Sequence, residues 1–155
     1  MRALLQRVSK AGVAIDGKMH AETGRGLLIF LGIAQQDIDA DARYLAQRCS
    51  QLRIFGDDAG KMNLSVRDTG GETLVVSQFT LYADTRRGNR PGFTLAAPPD
   101  AAERLYEVFL AALREDLGDG KVKSGVFRAM MEISLVNDGP VTIMLESVPH
   151  TGTQT

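Results

Sequence analysis

Leu27-Leu28-Ile29-Phe30-Leu31-Gly32-Ile33 is a continuous apolar run, entered through the Gly24-Arg25-Gly26 punctuation. A run of this length bounded by turn signals reads as a buried strand. Upstream, residues 1–15 are rich in Leu, Val, Ile and Ala and also read as strand. Asp16-Gly17 then signals a hairpin, since a type I′ turn needs positive φ at both central residues, and a returning strand reaches about Thr23. Downstream, Asp37 is placed to cap a helix. Ile38, Ala42, Leu45, Ala46 and Cys49 recur at helical spacing and predict that helix over 38–50.

The rest of the chain adds strands and one more helix. Leu52 to Phe55 reads as a short strand, Asp57-Asp58-Ala59-Gly60 as a turn, residues 62–66 as strand, and 73–82 as a long strand. Residues 84–99 read as an ordered loop without regular pattern, and such loops are often functional. Pro98-Pro99-Asp100 opens a second helix, with Leu105, Val108, Phe109, Ala112 and Leu113 as its apolar stripe and Gly118 as its stop. Strands are expected near 121–124, 127–136 and 141–148. Neither helix alternates regularly with strands, which argues against a doubly wound parallel sheet. The expectation is an α+β fold: a single domain over residues 1–148, with a curved, barrel-like, mostly antiparallel sheet and two main helices. Residues 149–155, small and polar, read as a disordered tail.

Composition narrows the chemistry. The chain has 155 residues, 44% hydrophobic and 24% charged, with a formal net charge of -1. That charge gives no global attraction for nucleic acid, so any RNA contact needs a local basic patch. No apolar run approaches the roughly 20 residues that span a bilayer. Arg7 and Lys10 interrupt the first apolar stretch, so no signal-peptide pattern is present and the expected compartment is the cytoplasm. Cys49 is the only cysteine and reads as a small buried hydrophobe rather than a nucleophile. The two histidines, His20 and His150, have no Cys or second His at metal-ligand spacing and read as solvated or packed side chains. Gly24-x-Gly26 lacks a third glycine and precedes a strand, so it is no dinucleotide fingerprint.

Two segments break the local rules. In Val75-Val76-Ser77-Gln78-Phe79-Thr80-Leu81, polar residues interrupt a run that otherwise reads as buried strand. In Val136-Asn137-Asp138-Gly139-Pro140-Val141-Thr142, a Gly-Pro pair does so; Pro cannot donate to a ladder and Gly weakens one. Such inconsistencies fall preferentially at functional sites. Alternation places Ser77 and Phe79 on one strand face, with Gln78 and Thr80 on the other, unless a bulge intervenes. Taken singly, each of these side chains reads as a hydrogen-bonded residue of a sheet.

Together these segments resemble the D-aminoacyl-tRNA deacylase family, in which a Ser-Gln-Phe-Thr motif and a Gly-Pro motif build the active site. Met1 to Val8, Leu52-Arg53-Ile54-Phe55, Gly60 to Val66 and Tyr82 to Arg86 also look like family segments, in family order. The match runs from Met1 to about Ser147. The resemblance implies a barrel-like homodimer with the active site at the subunit interface, acting on the 3′ end of D-aminoacyl-tRNA and of glycyl-tRNA. It implies catalytic roles for Ser77, Gln78, Phe79 and Thr80. It implies that Gly139 and Pro140, joined by a cis peptide and braced by Arg7, exclude L-amino acids with a backbone wall. Phe127, Met130, Asn137, Arg86, Arg87 and Arg90 are the corresponding substrate-binding candidates, and Lys121, Lys123 and Arg128 form a second basic group. No metal and no organic cofactor is implied.

The residue inventory suits that substrate. Ser77 and Thr80 are weak nucleophiles without a neighbouring base. The terminal ribose of an aminoacyl-tRNA carries a hydroxyl beside the esterified one, which could orient the water that the protein cannot activate. The protein would then supply positioning and oxyanion stabilisation by backbone N–H groups. The chain departs from the family pattern at Gly125-Val126-Phe127, where Gly-Arg-Phe is usual. It also departs at Arg128, where a small residue is common, and at Gly92, where Ser is frequent. The alternatives are a related editing deacylase for a mischarged L-amino acid, and a non-catalytic nucleic-acid-binding module.

Overall fold

β1 (Arg2–Ile15) organises the sheet because three strands pair with it. The computed structural model describes residues 1–147. The expected tail 149–155, His150 and the last residue of the expected strand 141–148 lie outside the described residues. β8 (Glu132–Glu146) runs antiparallel along nearly the whole of β1. β3 (Gly26–Gly32) pairs with the first half of β1, and β2 (Lys18–Thr23) with the second. β2 returns through Asp16 and Gly17, both at positive φ, as the type I′ signal requires.

β6 (Glu72–Ser77) and then β7 (Val122–Ser124) extend the sheet beyond β3, both in parallel register. The sheet is therefore mixed, with the antiparallel pairings concentrated on β1. β4 (Phe55–Gly56) and β5 (Met62–Leu64) form a small separate ladder.

The apolar run in β3 is explained by burial on both faces. Leu27, Ile29 and Leu31 point into the core shared with the helices. Leu28 points the other way, into a second cluster with Val8, Val13, Leu74 and Val76, over which Phe30, Ile133 and Leu135 pack. A strand feeding two cores cannot alternate with polar residues. The second cluster is built from buried strand residues of β1, β3 and β6, and the first packs strands against α1 (Asp39–Gln51) and α2 (Pro99–Leu117). Leu105, Tyr106, Phe109, Leu110 and Leu113 of α2 are all buried there. Full burial stabilises each such leucine or phenylalanine by about 1.5–3 kcal/mol. Cys49 is fully buried in the same core, and burial pushes its thiol far above the ordinary range, so it is inert packing.

Four local expectations change. The short strand expected from Leu52 to Phe55 is irregular through Ile54, and β4 holds only Phe55 and Gly56. Asp37 does not cap α1: its carboxylate accepts the Met1 ammonium at 2.6 Å and the Ala34 N–H at 2.6 Å, and Ile38 takes the N-cap position. Asp41 supplies the cap contact instead, accepting the Ile38 N–H at 2.9 Å. The strand expected over 73–82 stops at Ser77, where the chain winds into a 3-10 turn (Phe79–Tyr82). The two strands expected over 127–136 and 141–148 are one strand, β8, preceded by an irregular segment up to Met131.

Candidate active site

The Ser77–Thr80 segment leaves the sheet because its partner runs out. Ser77 is the last β6 residue in register with β3, opposite Leu31. Gln78 donates its N–H to Leu31 O at 2.8 Å, and the chain then turns. Gly32 admits the turn. A Cβ there would meet Leu81 Cβ at 3.0 Å, Gln78 O at 3.1 Å and the Tyr82 ring at 3.3 Å. The turn closes by Leu81 N–H donating to Gln78 O at 3.3 Å and Ala83 N–H to Thr80 O at 3.0 Å. Arg2 ties it from below, donating Nη1 to Leu81 O at 2.9 Å with its guanidinium 4.7 Å from the centre of the Tyr82 ring. Alternation of Ser77 and Phe79 against Gln78 and Thr80 does not hold once the strand becomes a turn. Gln78 Nε2 instead donates to Thr80 Oγ1 at 2.5 Å.

The turn floors a cleft of about 1020 Å³. Ser77, Gln78, Phe79 and Thr80 line it together with Phe127 and Met130, so six of the expected site residues meet there. Its far wall is the segment 125–131, pinned by Gly125 N–H donating to Val75 O at 2.9 Å. Phe127 sits against Tyr106, ring centres 5.9 Å apart, while Met130 is 90% exposed at the rim. A third side comes from the loop before α2. There Phe93 meets Phe79 edge to face at 5.0 Å, and Gln35 Nε2 donates to Thr94 O at 2.5 Å. Among the described residues of the lining there is no Asp, Glu, His, Lys, Cys or Tyr, and Arg128 is the one charged side chain.

Arg7, Asn137, Gly139 and Pro140 do not line this cleft. They form a second feature on β8. Gln6 of β1 pairs with Thr142 and Val8 with Asn137, so Asp138 to Val141 bulge out opposite Arg7 alone. The Gly139-Pro140 peptide within the bulge is cis. Arg7 donates Nε to Asp138 O at 2.8 Å and Nη1 to Ile54 O at 2.5 Å. Its side chain is largely buried, on a strand paired on both sides. The Asn137 side chain spans the bulge, donating Nδ2 to Val141 O at 3.0 Å and accepting the Val141 N–H at 3.2 Å. Its amide also donates to Gln6 Oε1 at 3.2 Å. At Gly139 a Cβ would lie 2.0 Å from Val141 N and 2.8 Å from Asn137 Oδ1, so no side chain fits.

The arginine loop lies outside the cleft lining too. Asp84 and Gly92 exchange backbone hydrogen bonds at 2.7 and 2.9 Å, which orders the loop between them. Arg86 is bound back to Asp84 through Nε at 2.8 Å and Nη2 at 2.7 Å. That pair holds the Asp84 carboxyl well below the usual carboxylate range. Arg87 and Arg90 are exposed and carry no ion pair among the described residues. Arg2, Gly32 and Phe93 belong to the site and carried no signal in the sequence reading: each acts through a contact between segments distant in the chain.

Three comparisons bear on this geometry. The model of the D-Tyr-tRNA(Tyr) deacylase family matches residues 4–146. The chain is 58% identical to a D-aminoacyl-tRNA deacylase of Anaeromyxobacter dehalogenans over 147 residues, covering 95% of this chain and 97% of that protein. It is 56% identical to one of Thermotoga petrophila, with the same coverage of 95% and 97%. Among solved structures it is similar to a c-Myc DNA unwinding element binding protein, at TM-score 0.92 and 41% identity, covering 96% of this chain and 100% of that one. A probable eukaryotic D-amino acid tRNA deacylase shares the fold at TM-score 0.83 and 18% identity, covering 94% of this chain and 98% of that one.

Proposed function

The chain belongs to the D-Tyr-tRNA(Tyr) deacylase family, and from that premise we propose how its own residues hydrolyse D-aminoacyl-tRNA and reject the L ester. The activity is that of a D-aminoacyl-tRNA deacylase, a hydrolase acting on the ester between amino acid and tRNA. The observation that carries the mechanism is the cleft lining, which among the described residues offers hydroxyls, amides, backbone and the Arg128 guanidinium but no carboxylate, imidazole or thiol. A general base must then come from elsewhere. The vicinal ribose hydroxyl of the substrate's terminal nucleotide is in place to orient the attacking water. Water adds to the acyl carbon, the ester C–O bond breaks, and the proton goes to the departing ribose oxygen. The first N–H groups of a helical turn have no acceptor inside it. Those of Phe79 and Thr80 receive the developing oxyanion. The Gln78–Thr80 hydrogen bond fixes the side chains around the ester.

Selectivity is assigned to the bulge. In a homodimer the Gly139-Pro140 carbonyls of one copy enter the cleft of the other, so the active site lies at the subunit interface. A backbone wall cannot adapt as a side chain would, so it rejects an L side chain by clash. Glycine has no side chain to reject, so glycyl-tRNA is a substrate. Asn137 acts by holding the bulge and not by touching substrate; its amide is already committed to Val141 and Gln6. Arg87 and Arg90 meet tRNA phosphates, while the Arg86 charge is paired with Asp84. Among the described residues no helix is long and apolar enough to cross a membrane. We assign the enzyme to the cytoplasm, where its substrate is.

The test is hydrolysis of matched D-tyrosyl-, L-tyrosyl- and glycyl-tRNA at low enzyme concentration. The D and glycyl esters are expected to disappear while the L ester persists; equal loss of both tyrosyl esters would end the role given to the bulge. A D-tyrosyl-tRNA with a 2′-deoxy terminal adenosine is expected to resist, and undiminished hydrolysis would remove the ribose from the mechanism. The likeness to a DNA unwinding element binding protein favours a second reading, nucleic-acid binding without turnover. That reading predicts retained binding of tRNA and no loss of any ester.

A further inference from the structure

We propose that Arg128 contacts a phosphate of the single-stranded acceptor end of tRNA, exchanging Asp100 for that phosphate when substrate enters the cleft. The proposal rests on the aminoacyl-tRNA reading above and adds a binding residue to it. Arg128 is the one charged side chain among the described residues of the cleft lining. Its φ is 65°, in the left-handed region that non-glycine residues seldom adopt. Such conformations persist where the surroundings impose them, and they gather at ligand-binding sites. Here the imposing structure is the wall that starts at Gly125, whose N–H is bonded to Val75 O, and continues through the Ala129 N–H, which donates to Val126 O at 3.2 Å.

The guanidinium is half-exposed and available. Its Nη2 donates to Asp100 Oδ1 at 2.7 Å, with side-chain exposures of 55% and 99% for the two partners. An ion pair this open to water is weak. A phosphate presents more charge and more acceptor oxygens to the same fork of donors, so it displaces a lone solvated carboxylate. Position makes the exchange productive. The ester must lie over the Ser77–Thr80 turn, and the phosphate of the esterified nucleotide lies one ribose away from it. Arg128 lines the same cleft as that turn, whereas Arg87 and Arg90 stand outside it and serve phosphates farther along the strand.

The experiment measures binding of uncharged tRNA across a potassium chloride series for the wild type, Arg128→Gly, Arg128→Lys and Asp100→Asn. Turnover of D-tyrosyl-tRNA and of D-tyrosyl-adenosine is measured on the same proteins. Glycine suits the positive φ, so Arg128→Gly keeps its fold. The slope of log affinity against log salt is expected to fall by about 0.7 in Arg128→Gly, one single-strand phosphate contact, and to be kept in Arg128→Lys. Asp100→Asn is expected to bind several-fold tighter. For Arg128→Gly, KM for D-tyrosyl-tRNA should rise several-fold with kcat unchanged. D-tyrosyl-adenosine, which has no phosphate, should be hydrolysed as by wild type. An unchanged salt slope and KM in Arg128→Gly, with the wild type active, would overturn the phosphate contact and leave the deacylase reading standing. A slope that depends on Arg128 in a protein that hydrolyses no D ester would do the reverse.

Discussion

The Ser77–Thr80 turn and the Asp138–Val141 bulge are both places where a strand is interrupted, but they are held in opposite ways. Backbone and packing hold most of the turn: the Gln78 N–H on Leu31 O, the Leu81 N–H on Gln78 O, and the space left by Gly32, with the Arg2 guanidinium on Leu81 O as a side-chain tie from outside the motif. Its side chains are therefore free to face the cleft. Side chains hold the bulge: the Arg7 guanidinium on Asp138 O and the Asn137 amide on Val141. What the bulge leaves exposed is Gly139 and Pro140 themselves. One feature presents functional groups and the other presents backbone, which is the division expected between a site that orients a reaction and a wall that rejects a shape.

The comparison breaks hardest at the turn. Phe79→Pro puts proline at the first position of the 3-10 turn, where it is tolerated, and removes one N–H assigned to the oxyanion. Loss of such a donor lowers kcat about 100- to 1000-fold; single-turnover hydrolysis of D-tyrosyl-tRNA measures it, with thermal melting as the control for folding. Gly139→Ala comes next. Its Cβ has no room beside Val141 N, so the bulge must open. D-ester turnover should fall about 100-fold through misplacement of the wall, and discrimination against the L ester should collapse.

Arg7→Ala removes the brace without filling the bulge. Hydrogen bonds to a charged donor contribute about 1.5–3 kcal/mol each and Arg7 makes two, so urea unfolding should register a loss of at least that size. The ratio of D to L hydrolysis should fall while D turnover changes less. The smallest effect concerns pH. Asp84 is held below its unfolded value by the Arg86 side chain and backbone. A depressed folded pKa means stabilisation present above the unfolded value and lost only as pH falls toward the folded one. Hydrogen exchange at the Arg86 amide, which donates to Asp84 Oδ1 at 3.1 Å, should stay protected at about pH 4 and lose protection in stronger acid.

The sequence carried the fold wherever a signal was local. The Leu27–Ile33 run, the Asp16-Gly17 turn and both helices lie where spacing and turn chemistry place them. It carried less where a partner strand decides. Nothing in Phe79-Thr80-Leu81 says that β3 ends at Gly32, so these β-prone residues look like strand and fold as a turn. Gly139-Pro140 reads locally as the end of one strand and the start of another. Only the pairing of β8 with both halves of β1 makes it a bulge in a single strand. The two motifs were legible as interruptions; the hands that hold them, Arg2, Gly32 and the Asn137 side chain, depend on contacts across the sheet.

The central claim is that a turn and a bulge lying apart in one chain form one site between two chains. Subunit mixing tests it most directly. Phe79→Pro and Gly139→Ala proteins, each nearly inactive alone, are unfolded together, refolded and assayed on D-tyrosyl-tRNA. If each mixed dimer joins an intact turn to an intact bulge, random reassortment should restore about a quarter of wild-type turnover, half the dimers being mixed with one good site each. Activity no greater than the sum of the two variants, with refolded wild type active, would contradict the account.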